Sequence, residues 1–216
     1  MAKKRRLQII ESPRVIQARI KFELREVINK AYKKAKPHIE TRTRLLIRGE
    51  LHESYTVTEL LNGQLRADFG LSGPDAFNAV SQILDVISRN INVDFVINKA
   101  NLVGAIKLIL LPVDISEITS IPAGSYMNSG RKGGEISWLE WLLTKGTQIV
   151  VDGYHINYED GLKHSRSGKA EMRKFGYFRV DPSHAGTADD NFITRTITNL
   201  SDEIFLIIRS ELERAG

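Results

Sequence analysis

Residues 178–197 read FRVDPSHAGTADDNFITRTI, and the change of pattern inside this run decides the fold. Pro182, Gly186 and the series Thr187, Ala188, Asp189, Asp190, Asn191 suit neither strand nor helix interiors, whereas Phe192, Ile193 and Ile197 restart a helical apolar period. The chain is therefore expected to run as an extended arm over 178–191 and then to enter a long C-terminal helix. Ile193, Ile197, Leu200, Ile204, Ile208 and Leu212 line one face of that helix. Asp189, Asp190 and Asn191 fall where a helix N-terminus takes its cap and its negative charge. Such an arm predicts contact with something outside its own core, with Phe192 and Arg195 pinning its end.

Working back from the arm, Trp138, Leu139, Trp141, Leu142 and Leu143 predict a short apolar helix that Gly146 ends in a left-handed cap. Two strands, 147–151 and 154–158, are expected around an Asp152-Gly153 turn, followed by a loop over 159–176 and a short strand over 177–180. Residues 112–137 crowd proline and glycine and read as an inserted loop; loops this long in compact domains are functional or disordered. Further upstream, Ser72 to Asp75 start a helix with Phe77, Val80, Ile83, Leu84 and Ile87 on its apolar face. The alternation of Ile91, Val93, Phe95 and Ile97 predicts a half-buried strand with a hairpin partner over 103–111.

The N-terminal quarter is helical in pattern. Residues 1–13 form a basic tail, and 14–54 hold N-terminal helices. The first has the stripe Ile16, Ile20, Leu24, Val27, Ala31, Ala35 and is ended or kinked at Pro37. The second runs from Ile39 to about Glu53, weakened at Gly49. Residues 55–61 are a short helix or turn before Asn62-Gly63. Helices lead, strands cluster in the middle and a helix closes. The fold class is α+β: one domain over 1–216, with N-terminal helices, a small central and mainly antiparallel sheet with packed helices, a long C-terminal helix and extended loops, 55–216 forming the core.

The chain has 216 residues, 42% of them apolar, enough for a substantial core. The absence of cysteine excludes disulfides, thiolate metal sites and cysteine nucleophiles, and fits a reducing compartment. The longest apolar runs are far shorter than the roughly 20 residues of a membrane span, and the basic N-terminus lacks the apolar region of a secretory signal. A soluble, intracellular product is expected. Charge is uneven: residues 1–50 hold 15 Lys/Arg against 5 Asp/Glu, and the remainder 16 against 21. That asymmetry suits a polyanion or an acidic protein surface, or simply a solvated helix face.

Residue patterns for chemistry are weak. In Gly124 to Lys132 five residues separate the glycines and Arg131 follows Gly130, so the backbone cradle of a phosphate loop is misplaced. The five histidines never fall at the i, i+4 spacing of a helical zinc pair, and no serine sits in a nucleophile elbow. Asp181, Asp189 and Asp190, with Asp152 and Glu159, admit a magnesium-dependent nuclease as an alternative, although helix capping accounts for two of them without metal. Trp138 and Trp141, three residues apart, are either core or interface aromatics.

Four elements together resemble the tail-completion or neck proteins of the head-to-tail junction in tailed bacteriophages: Asn62-Gly63-Gln64-Leu65-Arg66, the run WLEWLLTKGT over 138–147, Ser165-Arg166-Ser167-Gly168, and the 178–197 stretch. In that family a Gly-x-Leu-Arg element precedes the sheet, a segment ending in Gly-Thr follows, and Phe-x-x-Arg opens the last helix. Gly63 to Arg66, Gly146-Thr147 and Phe192 to Arg195 stand in those places, and the likeness spans roughly residues 60–213. The 112–137 insertion and the longer arm depart from a small member of the family.

The resemblance implies a non-enzymatic virion subunit without cofactor, metal or membrane, assembled in the host cytoplasm as a six-fold or twelve-fold homo-oligomeric ring at the head-tail junction. Portal or adaptor proteins would lie on one side and tail terminator or tube proteins on the other, with DNA passing through. Tyr126, Trp138, Trp141 and Arg166, and in the arm Asp181, His184, Phe192 and Arg195, are the expected subunit or partner contacts. Lys3, Lys4, Arg5, Arg6 and Arg14 would face DNA or an acidic neighbour. The alternative is a basic DNA-binding or metal-dependent nuclease-like protein.

Overall fold

The computed structural model describes residues 12–97, 104–109, 115–128, 134–158, 162 and 165–216. The fold is α+β, with a long N-terminal helix, small antiparallel sheets and a helical C-terminus. Its helices are α1 (Pro13–Glu53), α2 (Tyr55–Asn62), α3 (Gln64–Asp68), α4 (Gly73–Asn90), α5 (Ser116–Thr119), α6 (Trp138–Thr144), α7 (Phe192–Asn199) and α8 (Ser201–Ala215). Its strands are β1 (Asn92–Ile97), β2 (Gly104–Ile109), β3 (Tyr126–Met127), β4 (Glu135–Ile136), β5 (Ile149–Asn157) and β6 (Glu171–Arg179).

Two expected N-terminal helices are one. Ser12 caps α1 through its side chain, Pro13 occupies the first turn, and the helix then passes straight through Pro37. An interior proline costs roughly 3 kcal/mol through its missing N–H and its ring clash. The row Ala35, Ile39, Thr43, Ile47, Leu51, buried on both sides of it, outweighs that cost: each large apolar side chain contributes about 1.5–3 kcal/mol, while Pro37 itself faces solvent. Gly49 does not interrupt the helix either. A Cβ at Gly49 would meet nothing within 4 Å, so Gly49→Ala is expected to raise folding stability by about 0.5–1 kcal/mol, as read from a urea midpoint shifted upward at unchanged slope.

The strands do not gather into one central sheet. Among the described residues three separate two-stranded antiparallel ribbons form instead, β1 with β2, β3 with β4, and β5 with β6. The expected turn at Asp152-Gly153 is a bulge inside a single nine-residue β5. Gly153, at φ +80°, supplies the conformation that a hairpin turn and a bulge both use. Strand β6 accordingly begins at Glu171, within what reads as a loop in the sequence. The 112–137 insertion is ordered where described, as α5, a 3-10 turn at Pro122–Gly124 and the β3–β4 ribbon; residues 112–114 and 129–133 lie outside the described residues. The C-terminal helix is split at Leu200 into α7 and α8 while its apolar row continues across the joint.

Two clusters of buried side chains hold these elements. The larger joins α2, α3, α4, α6 and α7 around Phe69 and Trp138. The smaller gathers Tyr32, Ala35, Ile39 and Val93, with Ile208, Leu212 and Ala215 of α8 packed against it. Tyr32 stacks on Phe95 with ring centroids 4.6 Å apart and donates a 2.7 Å bond to the Val93 carbonyl. Arg42 ties α1 to Glu211 of α8 at 2.6 Å. N-terminal to this cluster residues 13–31 of α1 run a further 28 Å or so at about 1.5 Å per residue, with Ile20, Phe22, Leu24 and Val27 exposed.

Candidate functional site

A polar constellation drawn from distant parts of the sequence lies where α3, α4, β3 and the 165–170 loop meet. Capping fixes its first member: Ser72 and Asp75 exchange side-chain and backbone bonds at the start of α4, which leaves the Asp75 carboxylate turned outward. Arg166 reaches it at 3.0 Å and places its guanidinium 3.9 Å above the Tyr126 ring. Tyr126 in turn donates a 2.9 Å bond to the Phe69 carbonyl. A side chain at Gly70 would put its Cβ 2.8 Å from that hydroxyl, so the approach requires glycine. The Ser72 hydrogen bond, helped by Arg166, holds the Asp75 carboxyl below its ordinary value, and burial pushes the Tyr126 phenol up.

Beside this group a cavity of about 370 Å³ opens between α3, β3, β4, β5 and β6. Asp68 lines it and accepts a hydrogen bond from the Tyr158 hydroxyl. Burial raises the Asp68 carboxyl above its ordinary value against the opposing Tyr158 bond; burial and the Asp68 bond both push the Tyr158 phenol up. The cleft can grip a polar or aromatic group of a partner between Arg166, Tyr126 and Asp68. Asp181 is held low by Ser183, whose N–H and hydroxyl both donate to it, and Asp190 pairs with Arg195 through contacts of 2.6 and 3.0 Å. Both are thus bound in local structure. Among the described residues no three His, Asp or Glu side chains converge as a metal site.

The expected free arm is folded onto the body. Its backbone bridges α6: the Gly186 N–H donates to the Leu142 carbonyl at 3.0 Å, and the Gly186 carbonyl accepts from Gly146 at 2.8 Å. Gly146, at φ +56°, is the left-handed residue after α6 that the sequence predicts. The arm's contact is therefore with its own chain: Val180, Ala185 and Gly186 are small or apolar enough to be buried there, and buried His184 meets the Thr56 hydroxyl through its ring nitrogen. Asn191 closes the arm as a buried cap, accepting from the N–H groups of Ile193 and Thr194 at 3.1 and 3.2 Å.

The expected contact residues divide accordingly. Trp138, His184 and Phe192 are buried in the chain's own core. Trp138 is 0% exposed, lies 5.4 Å from the Phe69 ring and donates to the Ala123 carbonyl at 3.0 Å. Trp141 is half-buried against Phe178. Arg166, Asp181 and Arg195 are exposed, and Tyr126 is half-buried in the cleft. Arg14 is exposed on the projecting part of α1; Lys3, Lys4, Arg5 and Arg6 lie outside the described residues. Sequence reading pairs neither Arg166 with Asp75 nor Tyr158 with Asp68, since the partners are 91 and 90 residues apart and no local period links them.

His184 yields a pH dependence. Its Nδ1 lies 3.1 Å from the Thr56 hydroxyl and its ring stacks on Tyr55 at 4.8 Å. Burial holds its pKa below 6.5, with Asp181 and Glu59 opposing. As pH falls through about 6.5 the unfolded chain takes this proton first. Stability is therefore whole above that value, declines below it, and levels once the folded imidazole is protonated too. Thermal unfolding between pH 7.5 and 5.5 is expected to show the decline, and His184→Gln to flatten it.

Among helices of the described residues none is long and apolar enough to cross a membrane. No protein-family model, curated protein or solved structure matches this chain.

Proposed function

We propose that this chain is a structural subunit of the neck of a tailed bacteriophage, a homo-oligomeric ring of six or twelve copies between portal or adaptor proteins and the tail terminator or tube. Its work is binding, with no catalytic step. The observation that carries this reading is the division of the molecule into a knit body and uncovered extensions. The sequence elements that carry the family likeness all serve the body. Arg66 closes the α2–α3 corner by donating to the Leu61 carbonyl at 2.7 Å, Gly146 anchors the arm, Arg166 clasps Asp75 and Tyr126, and Phe192 enters the core behind its Asn191 cap. From that body extend the basic half of α1 and the β5–β6 ribbon, whose Tyr154, Phe175 and Tyr177 lie in solvent. Aromatic residues left outside a well-packed body are the ordinary material of subunit contacts.

The basic half of α1 then suits either an acidic neighbour or the passing DNA. Mass spectrometry of purified virions, together with particles assembled without this chain, tests the reading. The chain should be a stoichiometric virion component, and particles lacking it should hold filled heads that fail to join tails. Its absence from virions, or normal joining without it, contradicts the proposal.

A further inference from the structure

We infer that the cleft between α3, β3, β4, β5 and β6 is a receptor for a primary ammonium group on an aliphatic stem, the chemistry of a lysine side chain or a free alkylamine, with Asp68 as its acceptor. The inference concerns the cleft alone and does not need the neck reading.

The first support is an unanswered charge. Among the described residues three charged side chains line the cavity, Asp68, Arg166 and Glu171. Arg166 is spent on Asp75 at 3.0 Å and on the Tyr126 ring, and Glu171 is met by Arg173 at 2.8 Å. Asp68 differs: its carboxylate accepts from the Tyr158 hydroxyl and pairs with no cation of the described residues. Arg66 of the same helix turns to the Leu61 carbonyl, and the basic groups further along, Arg179 and His184, act on Asp181. Burial, and then the neighbouring Asp181 and Glu59, hold the Asp68 carboxyl above its ordinary value against the Tyr158 bond. The unpaired charge of the cleft is therefore negative.

The second support is shape. At about 370 Å³ the cavity falls within the roughly 300–1,000 Å³ of small-ligand sites. Met127, Ile136, Ile156 and Met172 wall it, and Ile136 and Ile156 pack on the larger core. A methylene stem thus meets apolar surface that folding has already fixed, while its head reaches a carboxylate.

Valence then selects among cations. Tyr158 takes Oδ1 of Asp68 and leaves Oδ2 as the open oxygen. A guanidinium grips a carboxylate best through two parallel bonds, which Asp68 does not offer. An ammonium is a compact point charge that needs a single strong acceptor. A divalent cation would need several converging oxygens, and no such group of His, Asp and Glu exists among the described residues. An anion would find only Arg166, already paired.

Titration of the isotopically labelled full chain with n-pentylammonium, followed by amide NMR, tests the site. The amides of Asp68, Gly70, Tyr126 and Asn128 should shift and saturate, whereas n-pentanol, with the same stem and no charge, should leave them in place. Asp68→Asn keeps an oxygen for Tyr158 and should weaken the amine at least about ten-fold, the measure of one hydrogen bond to a charged group, with unchanged circular dichroism. Met172→Lys plants an ammonium in the cavity wall and should block the probe independently. Tyr158→Phe frees the second oxygen, so n-pentylguanidinium should gain on n-pentylammonium there. A lysine peptide that displaces the amine, where its acetyl-lysine form does not, assigns the site to a protein partner. Displacement by a free diamine and not by the peptide assigns it to small amines. The inference is overturned if the probe shifts none of these amides, if pentanol shifts them equally, or if binding is undiminished in both Asp68→Asn and Met172→Lys.

Discussion

Trp138→Ala is expected to lower folding stability by about 3–5 kcal/mol, the range for truncating a large aromatic in a closed core. Trp138 is the largest of the fully buried side chains and stands at the start of α6, in contact with Phe69 from the α3 end and tied to Ala123 through its indole N–H. Truncation leaves a cavity among groups that arrive from separated parts of the chain and cannot collapse together. It also orphans the Ala123 carbonyl, a further penalty of about 1–3 kcal/mol if water does not reach it. Urea denaturation should show a lowered midpoint at an unchanged slope. A change under about 1 kcal/mol would mark Trp138 as a surface anchor instead.

Gly186→Ala is the second large effect, expected at about 1–3 kcal/mol from overpacking, with two hydrogen bonds of about 1 kcal/mol each at risk besides. An added Cβ would stand 2.5 Å from the Asn191 Cβ and 2.8 Å from its Cα. Backbone, not a flexible side-chain tip, blocks the site, so the arm must lift. Lifting breaks the bonds that Gly186 makes with Leu142 and Gly146 and disturbs the cap on α7. The expected readouts are a lowered unfolding midpoint and faster amide exchange at Gly146 and Gly186, with exchange in α1 unaffected. Unaltered exchange at those two amides would mean that the arm is not fastened to α6.

The parts of this fold that sequence reveals are those governed by local rules. Ser72 to Asp75 announce a capped helix and the structure supplies the capping box; the 91–97 alternation becomes β1 with its antiparallel partner; Gly146 ends α6 in the left-handed conformation. The misreadings occur where tertiary burial overrides a local signal. Pro37 reads as a terminus, but the row that packs on α8 and α4 carries the helix through it. Asp152-Gly153 reads as a hairpin, yet it is equally a bulge, and only pairing with residues as distant as Glu171 decides between them. The arm reads as free because its residues are polar and irregular, and its fastening is backbone hydrogen bonding, which side-chain patterns do not record. In the candidate site Arg166 and Tyr126 are visible as residues, while Asp75, Phe69 and Gly70, which make them a unit, are placed by the fold alone. The stripe on the first half of α1 is plain in the sequence; that Ile20, Leu24 and Val27 are exposed is a property of the folded body.

The neck assignment is tested most directly by an electron cryomicroscopy reconstruction of the head-tail junction in purified virions. The account predicts a ring of this chain between the portal side and the tail. A junction whose density contains no copy of this chain would contradict it.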